Sequence, residues 1–168
     1  MSRWILTIVG SLLIAAASAH GGDVPFTSAG LALIKGKDIC ELQGEFHVGT
    51  GVFLDERKQY ALDYRLRDDV HAAFLLSKPS TTCGIVDAVL DLTPIIKPGE
   101  TLEFKCYTNK EGGTTWGKWG QIIGLANNEQ GRKRYVKARL SWRVIIKENR
   151  FEELKGEDVE CDTAGYTD

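Results

Sequence analysis

Residues 135–147 alternate with a period of two: Val136, Ala138, Leu140, Trp142, Val144 and Ile146 fall on one side, Lys137, Arg139, Ser141, Arg143 and Lys147 on the other. A strand sorts these residues onto two faces, whereas a helix would scatter them around its circumference. The same period recurs upstream. Tyr60, Leu62, Tyr64 and Leu66 alternate with Ala61, Asp63 and Arg65, and Val86, Ala88, Leu90 and Leu92 alternate with Asp87, Val89 and Asp91. Both read as strands with one wet face. Leu102, Phe104 and Cys106 alternate directly after Lys97-Pro98-Gly99-Glu100, a turn signal, which predicts that the strands at Val86 and Leu102 are neighbours in one sheet. Residues 121–126 and the strand from Tyr135 make a hairpin about the turn-prone residues 127–131.

Segments around Cys40 to Phe46, Gly51 to Leu54 and His71 to Leu76 complete seven or eight short strands, and residues 151–154 and 159–161 read as a last irregular one. Residues 24–37 fit a short helix and a strand equally. Helical periodicity is scarce elsewhere, so the chain is predicted to be all-β: a single antiparallel β-sandwich or barrel.

The first residues set the compartment. Arg3 precedes an apolar run over residues 4–17, broken only by Thr7, Gly10 and Ser11, and Ala17-Ser18-Ala19 follows. This is the three-part pattern of a signal peptide, and its apolar core is shorter than the ~20 residues that cross a bilayer. Residues 1–19 are predicted to be removed, with residues 20–168 forming one exported domain, periplasmic or secreted. No later stretch is long and apolar enough to span a membrane. Without Arg3 the domain carries 20 basic and 23 acidic side chains. That balance gives no general attraction to nucleic acid or anionic membranes.

Cys40, Cys83, Cys106 and Cys161 all lie beyond residue 19, and an even count in an exported chain predicts two disulfides. No pair has the close spacing typical of zinc sites. Three pairings are open. Cys83 with Cys106 and Cys40 with Cys161 is preferred, because the first closes a short loop and the second ties the ends.

Chemistry-bearing motifs are few. The histidines are His20, His47 and His71, and neither a nucleophile elbow, nor a phosphate-binding glycine loop, nor a His-Glu-x-x-His stands in the chain. Asp63, Asp87 and Asp91 read as solvated strand residues rather than a catalytic pair. If cleavage follows Ala19, the α-amine and imidazole of His20 can chelate copper, with His47 or His71 as a third nitrogen ligand. His20 and the adjacent Gly21 resemble the histidine brace of copper-dependent polysaccharide monooxygenases and some periplasmic copper carriers, which implies a carrier or an oxidase.

Two surfaces suit binding. Trp116 and Trp119 stand among glycines in residues 112–120, where flat indoles on a pliable backbone can meet a sugar ring or a partner protein. Arg132, Lys133 and Arg134, continued by Lys137, Arg139 and Arg143 along one strand face, form a basic stripe that can meet an acidic partner or anionic glycan. By elimination the expected function is that of a non-catalytic binding or interaction domain, of inhibitor, immunity or envelope-accessory type, with no cofactor. The copper protein is the alternative and a cell-envelope hydrolase the third.

Overall fold

The computed structural model describes residues 24–43, 47–80, 83–108, 121–127, 134–155 and 158–163. The described chain begins with β1 (Val24–Pro25), a one-turn helix α1 (Ser28–Leu31), a 3-10 turn over Ile39–Glu41 and β2 (Leu42–Gln43), which pairs in parallel with β1. The segment that fitted helix and strand equally thus holds short pieces of both. Side-chain caps hold them: Thr27 Oγ1 accepts from the Gly30 N–H, and Asp38 and Glu41 form a reciprocal capping box about the 3-10 turn.

This strap lies on one face of an antiparallel meander of β3 (His47–Phe53), β4 (Tyr60–Arg67), β5 (Val70–Ser77) and β6 (Ile85–Asp91), in that order. Val24, Phe26, Leu31, Ile34 and Ile39 of the strap pack against Ala61, Ala72, Phe74, Leu76 and Val86. The middle strands are therefore buried on both faces. Ala61, Asp63 and Arg65, expected to be wet, are each less than 10% exposed, and an ion pair of 2.8 Å between Asp63 and Arg65 balances the two buried charges.

The chain then makes β7 (Glu100–Glu103), β8 (Cys106–Thr108), β9 (Ile122–Asn127), β10 (Tyr135–Lys137), β11 (Leu140–Ile145), β12 (Arg150–Glu153) and β13 (Val159–Asp162). A second four-stranded sheet runs β12-β11-β9-β7, and a three-stranded one β10-β13-β8. The main core lies between the second sheet and the meander, with Leu62, Leu75 and Leu92 meeting Phe104, Ile123, Leu125 and Trp142. The fold is all-β, a sandwich whose three larger sheets are antiparallel.

Five expectations of connectivity fail, for related reasons. The alternating run 135–147 is two strands in different sheets. The Ala138 N–H donates to Val159 of β13 and the next N–H, of Arg139, to Leu125 of β9, so the chain changes layer between them. The hairpin from β9 consequently closes on β11, not on β10. Likewise β6 and β7 lie in opposite sheets, and the run through Cys106 breaks into β7 and β8. The last irregular strand is also two, β12 and β13, again in different sheets.

The preferred cysteine pairing is also wrong. The disulfides are Cys40–Cys83 and Cys106–Cys161. The Ile39 N–H donates to the carbonyl of Gly84 at 2.8 Å, which brings the strap turn beside Cys83. Cys106 and Cys161 are register partners on β8 and β13, with Cα atoms 4.0 Å apart. Loop length governs the entropy of closure, but strand pairing decides which sulfurs meet.

Candidate functional site

The three-stranded sheet β10-β13-β8 is an outer layer. Its inner side chains, Cys106, Val159 and Cys161, pack with Ile122, Leu154 and Ala138. They sit directly on Gly124 of β9, whose missing side chain makes room for both sulfurs. With every second residue committed inward, the alternate positions Tyr107, Tyr135, Lys137, Glu160 and Asp162 belong to the opposite face.

Two tyrosines organise that face. Tyr107 and Tyr135 meet edge to face, ring centroids 6.3 Å apart, and Tyr135 is 41% exposed. The Tyr107 hydroxyl donates to Glu160 Oε2 at 3.0 Å. Partial burial, and then this carboxylate, push the hydroxyl up to about 12. The guanidinium of Arg134 lies 5.2 Å from the centre of the Tyr135 ring and 3.6 Å from the buried carboxylate of Asp162. Lys137 reaches Asp158 at 3.0 Å, and this exposed carboxylate raises the lysine's pKa.

The basic stripe is thus divided. Arg134 and Lys137 share the tyrosine face, each beside an aspartate. Arg139 belongs to the scaffold: it holds the Glu100 carboxylate through two nitrogens, at 2.5 and 2.7 Å, and donates to the Ile95 carbonyl at 2.6 Å. The arginine keeps the Glu100 carboxyl below its usual range. Arg143 is half-buried on β11, in register with Ile122 and Glu152. These four cations do not make one continuous band, because the strand that was to carry them crosses between sheets.

Trp116, Trp119, Arg132, Lys133 and His20 lie outside the described residues. Connectivity still relates the loops to the tyrosine face. Residues 109–120, with both tryptophans, follow directly on β8, and residues 128–133 run from β9 into β10. The two edge strands of the outer sheet are fed by the two segments singled out for binding. Sequence reasoning missed Tyr107 and Tyr135. The available signal was the alternation around Cys106, which turns Tyr107 away from the disulfide.

The strand aspartates and the groups around the first disulfide have structural partners. The Asp87 carboxylate accepts from the Ser77 hydroxyl and that of Asp91 from the Thr93 N–H. Asp38, Cys40 and Cys83 cluster with metal-like spacing, but the two sulfurs are bonded to each other and Asp38 Oδ1 caps the Cys40 N–H. His71 Nδ1 is 2.7 Å from the Tyr64 hydroxyl, and burial raises the pKa of Tyr64. His47 and His71 are both register partners of Leu66, one from each flanking strand, so two of the three histidines share a cross-strand row.

No helix among the described residues is long and apolar enough to cross a membrane, and the two disulfides indicate an oxidising setting. The fold and this face define a disulfide-braced β-sandwich with an aromatic, mixed-charge outer sheet. Compared with protein-family models, curated proteins and solved structures, the chain matches none.

Proposed function

We propose that this chain is an exported, non-catalytic binding domain that engages a partner protein through the outer face of β10-β13-β8, together with Trp116, Trp119, Arg132 and Lys133 in the segments that adjoin its edge strands in sequence. The observation that carries the reading is the Tyr107–Tyr135 pair. Its rings are held by Glu160 and Arg134, so a large aromatic surface is ordered before any partner arrives, and less entropy is lost on docking. Exposed tyrosine beside arginine is the composition of interface anchors. Every described cation on the face stands beside a carboxylate, which favours a mixed-charge protein surface over a polyanion. The signal-like residues 1–19 and the disulfides support export.

The test is affinity capture from the host's envelope fraction with wild type, Tyr135→Ala and Trp116→Ala/Trp119→Ala, each first matched for melting temperature. The reading requires one protein retained by wild type and lost from both variants. Equal capture by all three sinks it, and retention on a glycan array alone points to a sugar ligand instead.

A second reading, a copper protein, rests on the cross-strand row. Tyr64 occupies Nδ1 of His71 and leaves Nε2 as the nitrogen open to a metal. Copper titration of natively processed protein tests it: stoichiometric binding lost in both His20→Ala and His71→Ala supports the reading, and no retained copper discards it.

A further inference from the structure

The outer edge of β6 changes character at the bulge opposite Leu75 and Leu76. Before it, the strap completes the ladder: the Val86 N–H donates to the Lys37 carbonyl at 2.9 Å, and the Val86 carbonyl accepts from the Gly36 N–H at 2.8 Å. Beyond it, the Leu92 N–H donates to the His71 carbonyl, and this fixes the phase of pairing with β5. In the register Ala88↔Leu75 and Leu90↔Ala73, residues 88, 90 and 92 turn their backbone groups inward. Val89 and Asp91 turn theirs outward. Among the described residues no strand pairs with that side of Val89.

Val89 is not simply open to water. It lies in the floor of a cleft of about 390 Å³, with Leu31 and Lys35 of the strap on one wall and Asn149 and Phe151 on the other. A strand laid beside β6 continues the plane of the meander, between the strap layer and the second sheet. Its side chains alternate toward Leu31 and toward Phe151.

Charge selects the occupant. Arg150, which also lines the cleft, is held by Glu148 at 2.6 Å and Glu152 at 3.6 Å. Lys35 meets no carboxylate among the described residues, so the uncompensated charge is positive. A second copy of this chain is a poor guest. Two β6 edges pairing antiparallel about Val89 bring Asp87 of each copy against Asp91 of the other, and like charges across a ladder repel.

We propose that the free edge of β6 at Val89 takes an extended segment of a partner protein by strand addition, apolar at alternate positions and carrying an acidic side chain beside Lys35. This site is separate from the tyrosine face and does not depend on it.

Amide hydrogen exchange by NMR on the full disulfide-bonded protein tests the proposal. The probes are a short peptide of alternating valine and threonine with one central glutamate, and the same peptide with lysine there. In the free protein the Val89 amide exchanges faster than those of Ala88 and Leu90, and the glutamate peptide slows it. The glutamate peptide binds about threefold tighter than the lysine one, the size of an exposed ion pair, and Lys35→Glu reverses the order. Val89→Pro removes the outward donor, spares the inward ladder and abolishes binding. Should that variant not fold, the Lys35→Glu reversal decides alone. Protection of Val89 without peptide, equal binding of both peptides, or binding that survives Val89→Pro in a folded protein overturns the proposal.

Discussion

Gly124→Ala adds one methyl group at the point where the outer sheet rests on the second sheet. An ideal Cβ there stands 2.7 Å from the Ala138 Cβ, 3.0 Å from Cys161 Sγ and 3.3 Å from Cys106 Sγ. None of these neighbours can yield cheaply. The sulfurs are joined to each other across paired strands, and the Ala138 N–H is bound to Val159. Relief requires lifting the whole outer sheet off β9. Overpacking of this kind costs about 1–3 kcal/mol. Replacing glycine by alanine returns about 0.4–1 kcal/mol by restricting the unfolded chain. The net loss is about 1–2 kcal/mol, or about 3–7 °C in Tm for a domain of this size. Urea unfolding of the oxidised protein measures it. Ala138→Gly in the same chain removes the nearest atom, so the double variant should recover about 1 kcal/mol relative to the sum of the single changes. A Gly124→Ala protein as stable as wild type, or strictly additive single changes, would refute the packing described for this layer.

Other expectations follow from the same geometry. A non-reducing peptide map joins Cys40 to Cys83, and Cys40→Ser/Cys83→Ser, which opens a loop of sequence separation 43, lowers stability in urea by up to about 4 kcal/mol. The strap should stay docked in that variant, because Phe26, Leu31, Ile34, Ile39 and Leu42 remain buried, and limited proteolysis under native conditions checks this. Glu100 has its pKa lowered by Arg139, so the pair stabilises the fold above the ordinary carboxylate value of 4.5 and loses that contribution as pH falls through the lower folded value. The stability gap between wild type and Arg139→Met, followed by urea unfolding, should therefore be widest near neutral pH and close in acid. Tyr107 has its pKa raised, so its contribution is complete below 10.0 and is lost as pH rises toward about 12. Tyrosinate absorbance should show late titration from Tyr64 and from Tyr107, and the Tyr107 part should be absent in Tyr107→Phe and move earlier in Glu160→Gln.

Fold class was legible because period-two alternation is a local property, and nearly every run that carries it is a strand. Layer assignment was not. In residues 135–147 the apolar set continues without interruption, yet Ala138 serves the disulfide layer while Leu140, Trp142 and Val144 serve the main core. Alternation reports which side of a strand is apolar and carries no mark of which core receives it. The wet face assigned to Ala61, Asp63 and Arg65 failed for the same reason. Asp63 and Arg65 looked solvated because each is charged, yet the fold buries both and pairs them at 2.8 Å. The basic stripe inherited the error, since its continuity assumed one strand. Cys106 and Cys161 could have been matched only by knowing that β8 and β13 are neighbours, which no local pattern encodes.

The layering narrows where this domain can bind anything. The meander has the strap on one face and the main core on the other, and the middle of the second sheet has the disulfide layer behind it. A ligand cannot reach the centre of either sheet without unpacking a core. Among the surfaces that the described residues leave open are the outer face of β10-β13-β8 and the β6 edge at Val89. These belong to different layers, with the main core between them. Variants at Tyr135 and Val89 should then act additively on stability and independently on their respective ligands. Coupling between the two above about 0.5 kcal/mol would mean that the main core transmits between the surfaces, and the two sites would have to be treated as one device.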